Sequence, residues 1–255
     1  MTPSRHTPFA GRAYLITGAG NGIGKQTALH LASLGAVVGI NDLREAFVEG
    51  TVGAVREQGG TAIAVVQDVA TRDGMRSAVE SFAEAAGRLD GLVNNAAWVR
   101  YQNVAEIAPE TVDRMLNIGF KSVIWGIQAA AERIGESGGS IVNVASAAGL
   151  RSTPNSIVYS GIKAGVMGIT RAAAVDLGAR GIRVNAIAPS AVPTEGTMRN
   201  RNAERDAHRI AQTPMGRLGS VDDMARAIAF LLSDDSVYIS GQVLSVDGGI
   251  STSFL

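Results

Sequence analysis

A short apolar run that breaks into glycines, YLITGAGNGIG at residues 14–24, constrains the fold of this chain more than any other stretch. At the spacing of Gly18, Gly22 and Gly24, missing side chains let the backbone turn tightly, approach a phosphate and pack a helix against a strand. The N-terminus of the next helix favours negative charge. Because glycines also end ordinary strands, the rest of the chain must support this interpretation.

Short β-branched runs alternate with longer helical patterns along the whole chain, without a repeat or a linker. This rhythm predicts an α/β fold, one doubly wound Rossmann domain over residues 12–255, with helices on both faces of a seven-stranded parallel sheet. The predicted strands are 12–17, 36–41, 61–66, 91–94, 140–145, 182–187 and 242–246. The predicted helices are 22–34, 44–58, 72–86, 110–133, 158–178 and 221–232. The polar, proline-containing residues 1–11 are expected to form a flexible tail.

Composition excludes several kinds of partner. Lys and Arg together number 23, as do Asp and Glu, so no overall field attracts nucleic acid or an anionic membrane. The chain has no cysteine, and His6, His30 and His208 show no ligand spacing, so we expect no metal site. No apolar run is long enough to cross a bilayer, and the expected location is cytoplasmic.

Asp42 directly follows the second predicted strand. Ligands of such sheets bind beyond the carboxyl ends of the strands, where this carboxylate can accept hydrogen bonds from the adenosine ribose hydroxyls. It would also repel the additional phosphate of NADP, and the next residue is Leu43 rather than an arginine. An aspartate that caps a turn or helix is the plainer alternative. With the glycine loop upstream, Asp42 predicts NAD as the cofactor.

Together these features resemble the classical short-chain dehydrogenases/reductases, over about residues 14–249. The family pattern TGxxxGIG is met by Thr17, Gly18, Gly22, Ile23 and Gly24. By that resemblance the residues expected to contact the cofactor are Gly18, Asn21, Gly22, Ile23, Gly24, Asp42, Asp68, Val69, Asn95, Ala96, Tyr159, Lys163, Pro189, Val192 and Thr194. Asp68 and Val69 would flank the adenine, and Asn95 with Ala96 would hold the turn after strand four, although each pair could be an ordinary turn.

Tyr159 and Lys163 carry the predicted chemistry. Their i, i+4 spacing puts both on one face of a helix. A tyrosine with a pKa of about 10 is a poor base near neutrality, but an adjacent ammonium and a positive nicotinamide ring favour the phenolate. Tyr159 can then accept the proton of an alcohol while hydride leaves, and Lys163 would also bind the nicotinamide ribose.

The resemblance adds Ser146 and Asn117 to the catalytic set. Ser146 precedes Tyr159 by thirteen residues, as in the family, and would stabilise charge on the substrate oxygen. Asn117 would support a water that relays protons to Lys163. As single residues they also fit a strand-end turn and a polar interruption of a helix.

Two positions depart from the family pattern, and both lie beside the expected site. Ala97 replaces a glycine, which is tolerable if the backbone there avoids positive φ. Ser190 replaces the glycine of a Pro-Gly pair in the loop along the nicotinamide, where its hydroxyl could narrow the site or contact substrate.

Residues 193–213 resemble the mobile lid that covers substrate. Three arginines fall four residues apart within it, along one face if the segment is helical, namely Arg201, Arg205 and Arg209. A solvated face balanced by Glu204 and Asp206 is the favoured interpretation. Capture of an anionic substrate is the alternative, with Arg100 and Arg151 as further candidates for that role.

The resemblance implies a homotetramer, built on strand seven and the two long helices. Three functions remain open: oxidation of a secondary alcohol with NAD, reduction of a 3-oxoacyl or similar ketone by the same residues, and binding of NAD without turnover. The intact Tyr159 and Lys163 disfavour the last, and the identity of the substrate does not follow from the sequence.

Overall fold

The computed structural model describes residues 7–198 and 202–253, and these residues form one seven-stranded parallel sheet. The strand order is β3-β2-β1-β4-β5-β6-β7, so the order reverses between β1 and β4. The doubly wound fold predicted from the sequence is confirmed. The strands are β1 (Ala13–Ile16), β2 (Val37–Asp42), β3 (Thr61–Val66), β4 (Gly91–Asn94), β5 (Gly139–Val144), β6 (Ile182–Pro189) and β7 (Val243–Val246).

Helices cover both faces of this sheet. They are α1 (Gly22–Ser33), α2 (Glu45–Glu57), α3 (Arg72–Ala86), α4 (Pro109–Leu116), α5 (Ser122–Arg133), α6 (Ile157–Leu177), α7 (Glu195–Met198), α8 (Ala203–Gln212) and α9 (Val221–Leu232). Buried residues of α1, α2 and α9 form one apolar cluster, and those of α3, α5 and α6 form another. The sheet therefore separates two cores.

Alternating side chains of the central strands supply both cores. In β1, Leu15 packs into the cluster under α3, α5 and α6, whereas Tyr14 and Ile16 pack into the opposite one. All three are at most 1% exposed. A strand that is buried on both faces reads as a continuous apolar run, which is why the sequence of β1 predicted it well.

The predicted helix 110–133 is continuous but not uniform. A π-helical turn over Asn117–Lys121 joins α4 to α5. Such a turn widens the helix by one residue and often marks a functional position. Here it begins at Asn117, one of the predicted catalytic residues.

The packed domain begins earlier than the sequence predicted. Residues 1–6 of the expected tail lie outside the described residues, but Phe9 is only 1% exposed and its ring packs edge-on against Tyr14 at 5.5 Å. The Phe9 N–H also donates to the carbonyl of Leu34. Burial of an aromatic ring stabilises this segment, so residue 12 is not the domain boundary. Among the helices of the described residues, none is both long and apolar enough to cross a membrane.

Candidate functional site

The predicted site residues lie at the carboxyl edge of the sheet, around the reversal between β1 and β4. The loop between β1 and α1 adopts the backbone that its glycines allow, because Gly18 has φ +62° and Gly22 has φ +56°. A Cβ on Gly18 would lie 2.9 Å from the Cα of Ala96, and one on Gly24 would lie 2.5 Å from the Gly18 carbonyl oxygen. These glycines are therefore required by close backbone approach.

Asn95 and Thr17 fasten the glycine loop to the turn after β4. The Asn95 side-chain amide donates to the carbonyls of Thr17 and Gly18, at 2.8 and 3.0 Å. The Thr17 hydroxyl in turn accepts the backbone N–H groups of Asn95 and Ala96. Side chains therefore hold this loop in shape at the start of α1, where the first helix N–H groups have no intrahelical partner. A backbone of this shape fits the phosphates of a dinucleotide.

Asp42 ends β2 and lies against the same loop. A Cβ on Gly20 would approach the Asp42 Oδ2 atom to 2.7 Å, so this carboxylate is directly beside the glycine loop. Its Oδ1 atom accepts the N–H of Arg44 at 3.1 Å. The turn interpretation thus accounts for one oxygen, and the second faces the loop where a ribose would lie.

Arg44 is a neighbour of Asp42 that the sequence analysis missed. Its guanidinium carbon lies 3.4 Å from the centroid of the Phe47 ring, a cation–π contact that fixes its direction. Phe47 in turn lies against Gly20. The Asp42 carboxylate therefore lies against the glycine loop, with a positive side chain two residues later stacked on Phe47. The sequence analysis considered only position 43.

The residues after β3 form a turn over the core. Asp68 is exposed, and its Oδ1 accepts the N–H of Ala70 at 2.9 Å, as in an ordinary Asx turn. Val69 is 6% exposed and packs into the core beneath this turn. Neither contact excludes the adenine interaction expected from the resemblance, which stays a prediction.

Ser146 and Tyr159 meet at the carboxyl ends of β5 and β6. Their hydroxyl groups are close enough for Ser146 to influence the titration of the Tyr159 phenol. Ser146 is 9% exposed, accepts the N–H of Ala148 at 3.1 Å and lies 3.5 Å from the carbonyl oxygen of Pro189. Burial raises the pKa of Tyr159 to about 12, although the neighbouring Ser146 side chain acts against this rise. The phenol is accordingly protonated at neutral pH.

Lys163 lies one helical turn after Tyr159 and is 5% exposed. Its Nζ donates to the carbonyl of Val144 at 2.6 Å and lies 5.8 Å from the centroid of the Tyr159 ring. Burial lowers the pKa of Lys163 to about 8. Burial dominates the pKa of Tyr159, and the group that opposes it is Ser146 rather than this lysine. The two side chains share one helix face as predicted.

Asn117 begins the π-helical turn, which packs on α6 near the tyrosine and lysine. A Cβ on Gly119 would lie 3.3 Å from Ile162, and the ring of Phe120 fills the space beside Gly165. The turn thus brings Asn117 to the helix that carries Lys163. Its expected role in a proton relay stays a prediction.

The loop after β6 carries the remaining predicted contacts. Pro189 ends the strand, and Val192 packs against the core and the backbone of Gly219. Thr194 lies over the glycine loop, because a Cβ on Gly22 would come within 3.1 Å of its Cγ2. The Ser190 hydroxyl lies 3.5 Å from the carbonyl oxygen of Asp247, which ties this loop to the turn after β7.

Ala97 keeps an ordinary backbone. Asn155 is the non-glycine residue with positive φ among residues 7–198 and 202–253, so φ at Ala97 is not positive. The departure from the family glycine is therefore accommodated without backbone strain. The same described residues contain no group of three or more acidic or histidine side chains placed to hold a metal.

Tyr101, which the sequence analysis also missed, stands beside the tyrosine of the site. Its ring packs edge-on against that of Tyr159, with centroids 5.7 Å apart, and it is 57% exposed. Desolvation raises the pKa of Tyr101, and the positive charges of Arg209 and Arg205 oppose this rise. The arginines of α8 are therefore close to the mouth of the site.

The other candidate arginines lie differently. The Arg151 guanidinium donates to the carbonyls of Ile250 and Ser253, at 2.7 and 3.0 Å, so it fastens the C-terminal segment. Arg100 is exposed, and Arg201 lies outside the described residues. Of the candidates for anion capture, α8 carries the two whose charges act on Tyr101.

Comparisons with known proteins identify the family to which this chain is similar. A family model described as Enoyl-(Acyl carrier protein) reductase matches residues 18–251. The chain is 36% identical over 241 residues to the 3-oxoacyl-(acyl-carrier-protein) reductase FabG of Thermotoga maritima, covering 94% of this chain and 98% of that protein. It is also 36% identical over 264 residues to the levodione reductase of Leifsonia aquatica, covering 99% of each. The solved structure of a short-chain type dehydrogenase/reductase from Mycobacterium ulcerans superposes with a TM-score of 0.92 at 30% identity, covering 96% of this chain and 91% of that one.

Proposed function

The chain belongs to the short-chain dehydrogenase/reductase family, of the classical type, and on that premise we propose that it interconverts a secondary alcohol and a ketone with NAD. Members of this family are oxidoreductases that use a nicotinamide cofactor. The observation that carries the proposal is the placing of the Lys163 ammonium 5.8 Å from the centroid of the Tyr159 ring, with Ser146 next to the phenol and the glycine loop at the same edge of the sheet. Such a constellation combines a proton donor with a cofactor-binding surface.

The proposed roles follow from the chemistry of each side chain. When bound, the cofactor supplies hydride exchange at its nicotinamide ring. Tyr159 gives a proton to the carbonyl oxygen during reduction and takes it back from the hydroxyl during oxidation, since its phenol is protonated in the resting protein. Ser146 donates a hydrogen bond to the same substrate oxygen and stabilises the charge that develops there.

Lys163 has two proposed roles. Its buried ammonium lies close enough to the Tyr159 ring to favour the phenolate once the proton has left. It would also hold the nicotinamide ribose. Because its pKa is about 8, a minor fraction of Lys163 is neutral near pH 7, so that it can exchange a proton with a water supported by Asn117.

The choice of NAD over NADP rests on Asp42. Its Oδ2 atom faces the glycine loop, where it would accept hydrogen bonds from a ribose and repel a phosphate on the same ribose. Arg44, whose guanidinium stacks on Phe47, is the group nearby that would instead attract such a phosphate. We weigh the carboxylate more heavily because it lies directly on the loop.

Reduction of a 3-oxoacyl group is the second candidate, favoured by the similarity to FabG. It uses the same residues in the opposite direction, so the substrate distinguishes it from oxidation of an alcohol. Under either candidate function, the protein is proposed to form a homotetramer. An apolar groove of about 550 Å³ between α4, the π-helical turn and α6 supports burial of that face, and Leu116 and Val158 are among its lining residues.

The test is turnover of cofactor with paired panels. Wild-type protein is assayed for NAD⁺ reduction with secondary alcohols and for NADH oxidation with ketones, including a 3-oxoacyl thioester. Tyr159→Phe is expected to lose at least about a hundredfold in turnover, because it keeps the ring but removes the proton. Tyr238→Phe, which removes the hydroxyl of a fully exposed tyrosine, is the matched control. Equal activity of the Tyr159→Phe variant would overturn the assignment, and binding of NADH without turnover in either panel would favour a sensor.

A further inference from the structure

One contact connects the lid to the glycine loop. The backbone N–H of Gly22, the first residue of α1, donates to the Glu195 Oε2 atom at 2.8 Å. Glu195 is the first residue of α7 and lies 173 positions away in sequence. A carboxylate at a helix N-terminus accepts a charge-assisted hydrogen bond, and the helix dipole strengthens this bond.

Glu195 binds the N-terminus of α1, which no neighbouring side chain in the sequence caps. The N-cap position of α1 is Asn21, and its side chain makes no capping hydrogen bond. The preceding lid residue, Thr194, lies against Gly22. The segment after β6 therefore crosses the glycine loop, and Glu195 supplies the anion that a capping side chain would otherwise supply.

We propose that Glu195 determines cofactor affinity, as an internal anion that holds the lid on the glycine loop and must leave when a dinucleotide phosphate binds the same N–H. This inference rests on the proposed function, because it takes the glycine loop as the phosphate-binding surface. One N–H cannot serve two anions, and like charges at hydrogen-bond distance repel. Each binding event therefore includes release of the Glu195 carboxylate, which couples cofactor binding to the position of residues 193–198.

The sign of the coupling distinguishes Glu195 from a residue that contacts the cofactor favourably. Loss of a favourable contact weakens binding, whereas loss of a competing anion strengthens it. Because the Glu195 side chain is exposed, solvent screens the competition, so we expect removal of the charge to tighten NADH binding about threefold to tenfold.

The experiment measures the dissociation constant of NADH by isothermal titration calorimetry for wild type, Glu195→Gln and Glu195→Ala. Both variants should bind about threefold to tenfold more tightly, since the two substitutions share the loss of charge. Glu204→Gln is the matched control: it removes an exposed carboxylate from α8 of the same lid and should leave the constant unchanged.

Hydrogen exchange without NADH supplies a second measurement. The Gly22 amide should exchange slowly in wild type and faster in Glu195→Gln, because its acceptor is weakened. Unchanged or weaker NADH binding by both Glu195 variants would refute the competition while leaving the proposed function intact. If neither wild type nor any variant bound NADH, the proposed function would fail, and the assignment of the glycine loop with it.

Discussion

Replacement of Asp42 by serine tests how the protein selects its cofactor. The Asp42 carboxylate is half-buried, with one oxygen bound to the Arg44 N–H and the other beside Gly20. A hydrogen bond to a charged group contributes about 1.5–3 kcal/mol, so loss of the ribose contact should weaken NAD use about tenfold to a hundredfold. Serine can still accept the Arg44 N–H, which keeps the turn in place.

The same substitution should improve use of NADP. Two unit charges about 5 Å apart at an effective dielectric of about 20 repel by about 3 kcal/mol, and solvent around a half-exposed side chain reduces this to about 1–2 kcal/mol. Relief of that repulsion is worth about tenfold. The ratio of kcat/KM for NADP to that for NAD should therefore rise about a hundredfold to a thousandfold in Asp42→Ser.

The assay compares kcat/KM for both cofactors with one substrate in wild type, Asp42→Ser, Arg44→Gln and the double variant. Arg44 stays beside the loop through its contact with Phe47, so the gain with NADP should depend on it. The double variant should keep the loss with NAD and lose the gain with NADP. A ratio in Asp42→Ser within about threefold of wild type would refute the argument, because neither the ribose contact nor the repulsion would then exist.

Three further predictions concern stability and assembly. Lys163→Met should raise the free energy of unfolding by about 1–3 kcal/mol at pH 7, because it removes a buried charge. The folded-state pKa of about 8 lies below the ordinary lysine value of 10.5, so the charge destabilises the fold fully below pH 8. Urea unfolding should therefore show the difference between variant and wild type vanish as the pH rises from 8 to 10.5. Asn95→Ala should lower the free energy of unfolding by about 1–3 kcal/mol, measured by urea titration, since the carbonyls of Thr17 and Gly18 lose their donor. Leu116→Glu should dissociate a tetramer in light scattering, because a charge then lies in the apolar groove; an unchanged mass would place the interface elsewhere.

The fold could be predicted because its signals are local. Parallel strands buried on both faces appear as short apolar runs, and β3, α3, β4 and α9 begin and end where the sequence predicted. Errors concentrate at ends governed by contacts between distant residues. Phe9 looked like part of a polar tail because its partner, Tyr14, is recognisable only once the ring contact is known.

Two groups of site residues could be placed from the sequence because their spacing within a short segment determines where they lie. Tyr159 and Lys163 lie on one helix face for that reason, and the loop glycines occupy the positions where side chains would collide. The direction in which a side chain points is harder to infer from the sequence. A substrate contact by Ser190 depends on where its hydroxyl points, and in the structure the hydroxyl points toward the carbonyl of Asp247.

Tyr101 and Glu195 show the limit of such reasoning. Tyr101 lies in a loop whose path depends on a backbone bond from Gln102 to the carbonyl of Asn155, and no periodicity records that bond. Glu195 follows the family-like Thr194 as one of 23 acidic residues, with nothing in its neighbourhood to single it out. Glu195 matters because the Asn21 side chain does not cap the start of α1. The residue type at position 21 would allow a cap, so only the direction of its side chain in the structure reveals that none forms. Sequence reasoning therefore finds the groups that perform chemistry, since chemistry restricts residue type, but it misses groups that act by occupying a position.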